Sequence, residues 1–174
     1  AYRLKDTGDG FLCTIGYPFL PPGAEHICEV SHKITEEFSK IFDESMAKLR
    51  LAEPPRCAMG VAIGVISGHF PDEDPKQYDL DGRVIMLATR YEAMRNRVLP
   101  DSNLIEDGNI IFLQESVWLG LNDGQRANYK EWNCSEEKSK IRDDPTATRA
   151  FYRFVPHQNK EKKPENKKIL RSVS

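Results

Sequence analysis

Residues 5 to 10 read Lys-Asp-Thr-Gly-Asp-Gly, and their types and spacing could do chemistry. Asp9 lies between two glycines, and Lys5 stands four residues upstream. Glycine lets a backbone, a phosphate or a metal ion come close to its neighbours. The plainer alternative is an ordinary hairpin whose tip aspartate only makes a turn. The stretch 67–76 carries Asp72, Glu73 and Asp74, an acidic cluster that could pass for a metal site. Pro71, Pro75 and the absence of any periodicity favour a solvated loop there instead. Met86 and Arg90 sit one turn apart and off the apolar stripe of a predicted helix, with Arg97 further along. An arginine on such a face is ordinary; a methionine hints that the face meets something.

The elements that would position these residues follow from periodicity and punctuation. Asp-Gly between two apolar runs, Tyr2/Leu4 and Phe11 to Ile15, predicts a hairpin. A helix over 24–49 follows from Ile27, Val30, Ile34, Phe38, Ile41, Met46 and Leu49, which recur three to five residues apart. Pro54 and Pro55 end it. The apolar run 57–66 reads as a buried strand. A second helix over 83–98 has Val84, Leu87, Ala88, Tyr91, Met94 and Val98 as its core stripe. A strand over 109–113, a short helix over 115–121, a turn at 122–124 and late strands over 127–132 and 149–155 complete the body. This order predicts an α/β (α+β) sandwich with a mostly antiparallel sheet and helices packed on one face. The expected division is a domain over 1–156 and a basic, mobile tail over 157–174.

Composition narrows the class. With 174 residues, 39% hydrophobic and 30% charged, the chain is long enough for one domain with a real core. No apolar run approaches the roughly 20 residues of a membrane span, and the opening residues do not read as a signal peptide. Cys13, Cys28, Cys57 and Cys134 are scattered, which fits a reduced, cytoplasmic setting and no zinc site. The net charge is −2, although Lys160, Lys162, Lys163, Lys167, Lys168 and Arg171 make the tail basic, so the body is acidic. An acidic body argues against nucleic acid as the partner, and a polyphosphate on it would need metal ions to bridge the charge.

The run Lys5 to Gly10, a glycine-bearing apolar strand, then Gln77-Tyr78-Asp79-Leu80-Asp81-Gly82 and a helix with Ala88-Thr89-Arg90 resembles the class III nucleotidyl cyclase catalytic domain. The resemblance covers residues 2 to 155 and is weak after Gly120. It implies a ferredoxin-like fold, a head-to-tail dimer with active sites in the groove between subunits, and conversion of a nucleoside triphosphate to its cyclic monophosphate. In that reaction the 3′-hydroxyl attacks the α-phosphorus and pyrophosphate leaves, assisted by two divalent ions, magnesium or manganese.

Position by position, the resemblance implies that Asp9 is a metal aspartate and that Lys5 and Asp79 read the purine. Lysine donates to a ring nitrogen and a carboxylate accepts from the adenine amino group, whereas the guanine carbonyl would be repelled by Asp79. Arg90 matches the arginine that binds the phosphate under attack, where a planar charged fork suits developing charge. ATP is therefore the expected substrate and a homodimer the expected assembly. The family's ribose-orienting asparagine is replaced by Met86, and its first metal aspartate, from a strand ahead of the hairpin, has no counterpart in these residues. Lys138 and Lys140 lie where a triphosphate-binding lysine belongs, without its surrounding motif. The expectation is an adenylyl cyclase domain with little activity as it stands. The alternatives are a degenerate cyclase-homology domain that binds nucleotide or a partner, and a structural module whose hairpin aspartate is incidental.

Overall fold

The computed structural model describes residues 2–6, 10–16, 23–49, 57–69, 79–101 and 108–156. The acidic cluster at Asp72 to Asp74, the hairpin tip with Asp9, and the basic tail lie outside them. The hairpin itself forms: β1 (Tyr2–Asp6) pairs antiparallel with β2 (Phe11–Thr14), with Lys5 opposite Leu12. Helix α1 (Ala24–Leu49) follows, then β3 (Ala58–Val61) and a second hairpin of β4 (Ser67–His69) and β5 (Asp79–Asp81). The next two helices are α2 (Arg83–Glu92) and α3 (Arg95–Asp101). Then come β6 (Gly108–Gln114), α4 (Glu115–Leu119), α5 (Asp123–Arg126), β7 (Lys130–Asn133) and β8 (Arg149–Pro156).

The α+β class is as the sequence predicts. The main sheet has the order β3-β6-β8-β7; β3 and β6 run parallel and the other two pairs antiparallel. The expectation that the helices share one face is corrected. Side chains alternate across a strand, and along β6 the residues Ile111 and Leu113 join a core with Ala24, Ile27 and Cys28 of α1. Their neighbours Ile110 and Phe112 join a second core with Leu87, Tyr91, Met94 and Val98 of α2 and α3. Helix α1 therefore packs on one face, and α2 with α3 on the other. The sheet is a middle layer with apolar residues on both sides, which is why β6 reads as an unbroken apolar run.

Local differences have local causes. The expected helix over 83–98 breaks at Ala93–Met94, where Met94 N–H turns back to Tyr91 O at 3.2 Å, yet its apolar stripe continues into α3. The expected strand 57–66 keeps its ladder only to Val61, paired with Leu113, because β6 soon gives way to α4. Ser67 to His69, expected as loop, is strand, because it finds β5 as a partner. The turn at 122–124 opens α5 instead: the Asn122 side chain accepts from Gln125 N–H and caps the helix. On α1 the buried face is not the predicted one. Ser31 and Thr35 are buried, their hydroxyls donating to Ile27 O and Ser31 O at 2.8 Å each, while Ile41 is exposed. Among the described residues no helix is long and apolar enough to cross a membrane.

Candidate functional site

Two features bear on chemistry: a cavity beside β3 and a charged seam along α2. The cavity measures about 540 Å³. Residues Gly10 to Ile15 of the first hairpin form one wall and Cys57 to Gly64 the other; Ile27, Ser31, Ile34 and Phe38 of α1 and Val84, Ala88, Thr89 and Glu92 of α2 close its faces. This explains the shifted stripe of α1: Ile34 and Phe38 face the cavity, not the packed core. Among the described residues β2 pairs only with β1, and β3 only with β6. Both strands line the cavity. The Thr14 hydroxyl, buried beside it, has no hydrogen-bond partner among the described residues. Cys13 and Cys57 also line it, and burial pushes both thiols up, Cys57 to about 11 with the Glu92 carboxylate adding to the effect. Neither is a ready nucleophile at neutral pH.

Gly60 fixes how closely α2 approaches. A Cβ there would lie 2.0 Å from Ala88 O and 2.3 Å from Glu92 N, so the helix backbone rests directly on the strand. Gly82, at φ +155°, makes the bend from β5 into α2, where a Cβ would meet Val65 O at 2.7 Å. Short β5 and this bend set the distance along the chain from Asp79 to Arg90.

The outer side of α2 and α3 carries Arg83, Arg90 and Arg97, spaced seven apart and so on one side of a 3.6-residue helix. All three reach the loop before β8. Arg83 Nη2 donates to Asp143 O at 2.9 Å, Arg90 Nε to Asp143 Oδ2 at 2.7 Å, and Arg97 Nη1 to Lys140 O at 2.6 Å. Beneath them the Tyr91 hydroxyl donates to the buried Asp144 carboxylate at 3.0 Å. Burial, then the neighbouring Asp144 charge, pushes the Tyr91 hydroxyl far above its ordinary range, so it remains a donor.

The residues expected to form the site are distributed as follows. Lys5 is in β1 and Asp79 opens β5 opposite His69, on separate hairpins; neither side chain is among those described. Arg90 is half-buried and faces the loop before β8. Met86 is exposed one turn earlier, as its place off the stripe predicts. Lys138 and Lys140 each pair with a nearby glutamate, Glu136 and Glu137. Among the described residues no three His, Cys, Asp or Glu side chains cluster to hold a metal ion; Asp9 lies outside them. Sequence reasoning missed Asp143 and Arg83 as partners of this seam. Their one signal is the seven-residue spacing of the arginines. No protein-family model, curated protein or solved structure matches this chain.

Proposed function

We propose that this chain is a class III-type adenylyl cyclase domain, which closes ATP to cyclic AMP with release of pyrophosphate. The observation that carries the reading is the serial placement of its chemistry: a Lys/Asp hairpin, Asp79 on a short strand, a glycine bend, and Arg90 on the helix that follows. On this reading Lys5 donates to a ring nitrogen of adenine and Asp79 accepts from its amino group. Arg90 holds the phosphate under attack, and Asp9 supplies one carboxylate to divalent magnesium or manganese, which would lower the 3′-hydroxyl pKa. The finer fold is ferredoxin-like. The reading calls for a second carboxylate beside Asp9 to hold the ions. With Asp9 as the single matched carboxylate, residues 1–174 alone are expected to turn over slowly. The working assembly is a head-to-tail homodimer in the cytoplasm.

A degenerate domain that binds nucleotide with little turnover is the second reading. Met86 favours it, being exposed where a hydrogen-bonding side chain would orient the ribose. Incubation with ATP and Mn²⁺, followed by chromatography for cyclic AMP, separates the two. Mixing an Asp9→Ala chain with an Arg90→Ala chain should restore product above either alone. No product from wild type or from the mixture, with ATP still bound in calorimetry, would leave the second reading standing. Lys5→Glu with Asp79→Cys should move preference from ATP to GTP.

A further inference from the structure

Asp143 has φ 66°, the only positive φ at a non-glycine position among the described residues. L-residues avoid this region, and such outliers gather where function demands them. The conformation turns the Asp143 carboxylate into a nest of cations. Arg90 Nε lies 2.7 Å and Arg142 Nε 3.7 Å from Oδ2, while Arg83 Nη2 holds the backbone carbonyl at 2.9 Å. Stability gives little reason for the arrangement, because half-exposed ion pairs contribute little. The Arg90 and Asp143 side chains are each 31% exposed. The carboxylate takes Nε alone; the Arg90 terminal nitrogens make no bond among the described residues. A guanidinium so engaged retains the paired donors that fit a phosphate.

We propose that Arg83, Arg90 and Arg142 form a site for polyphosphate anions, and that Asp143 occupies it as an internal latch until such an anion displaces it. The proposal rests on the reading of Arg90 as a phosphate-binding residue and adds its regulation: the arginine is masked in the resting chain. Neighbouring Asp144 anchors the loop while Asp143 swings out. It is fixed by the Tyr91 hydroxyl at 3.0 Å, and Thr146 Oγ1 donates to it at 3.4 Å. Pyrophosphate, with more charge and more acceptor oxygens than one carboxylate, competes well for the fork.

The test is titration calorimetry of the 174-residue chain with inorganic pyrophosphate, without divalent metal. Asp143→Asn, which keeps a side chain tolerant of positive φ, should bind about tenfold tighter than wild type. Asp143→Gly removes the backbone strain and should show the same gain, which guards against misfolding of the first variant. Adding Arg90→Ala should abolish the gain. Asp123→Asn, the same change of charge on α5, should leave affinity unchanged. Equal affinity of wild type and both Asp143 variants, with Arg90→Ala still weakening binding, would overturn the latch and leave the Arg90 reading intact. An equal gain from Asp123→Asn would reduce the effect to net charge and overturn the latch as well. No binding by any variant would overturn the latch and the Arg90 reading together.

Discussion

The two faces of the central sheet are held by different physics. On the α1 face the contacts are apolar. Ile27 and Cys28 meet Ile111, Leu113 and Val155, and Trp118 stacks on Phe151 with ring centres 4.0 Å apart. The Ser31 and Thr35 hydroxyls of α1 are satisfied within the helix, and the buried Asn109 amide of β6 reaches across to donate to Thr35 O at 3.4 Å. On the α2 face the helix backbone sits against Gly60, a buried tyrosine ties α2 to Asp144, and Arg83 and Arg90 of α2 with Arg97 of α3 reach the loop before β8. The first face depends mainly on volume, with the buried Asn109 amide as its polar tie. The second needs particular atoms, and those atoms are the ones that could meet a charged ligand.

Breaking the faces in turn should give effects that fall in a definite order. Gly60→Val forces a side chain into the backbone of α2 and should cost roughly 4–5 kcal/mol, or leave no folded protein, in urea titration followed by circular dichroism. Phe151→Ala empties the α1-face core, where Phe151 is 2% exposed, and should cost about 3–4 kcal/mol in the same assay. The loss should change little with salt, since most of it is apolar burial, although the Arg149 guanidinium lies 5.6 Å from the ring centre. Tyr91→Phe removes the hydroxyl from Asp144 and should cost about 1–3 kcal/mol.

Alkaline pH should then weaken both faces, since burial also pushes up the Cys28 thiol in the α1-face core. Cys134, in the α2-face core, and Cys57 are both pushed up to about 11 by burial, from a reference value of 9.0. The folded chain therefore keeps these protons after the unfolded chain has lost them. Their stabilising effect is whole below pH 9 and declines as the pH rises to about 11, on the order of 1–2 kcal/mol each. Melting temperatures measured from pH 8 to pH 11 should show the decline, and Cys134→Ala should flatten it. Arg90→Ala should be the smallest in stability, below about 1 kcal/mol because its ion pair is half-exposed, with the loss shrinking further in high salt.

Periodicity made part of this legible. The stripe Val84, Leu87, Tyr91, Met94, Val98 is buried as spaced, across a helix break that no propensity marks, because the core asks only for the apolar face. The stripe of α1 misled, because hydrophobicity ranks Ile34 and Phe38 above Ser31 and Thr35. It does not register that a helical hydroxyl can bury itself against the carbonyl four residues back. Two covered faces were not legible, since the close approach of α2 depends on what Gly60 lacks. The first hairpin was readable as a local signal, whereas the stretch before α2 was read only as a lead into the helix and proves to be a strand. The pairing of Arg90 with Asp143 was not: 53 residues separate them, and only the folded topology joins the loop to the helix.

The chain has two tryptophans, and the fold places one against each core: Trp118 with the α1 face and Trp132 with the α2 face. Both indole N–H groups are buried without a hydrogen-bond partner among the described residues. Each ring is partly buried with its N–H shielded from water, and its emission should redden when its own side of the sheet opens. Trp118→Phe and Trp132→Phe leave a single fluorophore on a chosen side. Stopped-flow emission of the pair would time the opening of the two layers separately. An α2 layer that loosens first, with the α1 layer still closed, would show as two curves where the unaltered chain gives one blended trace.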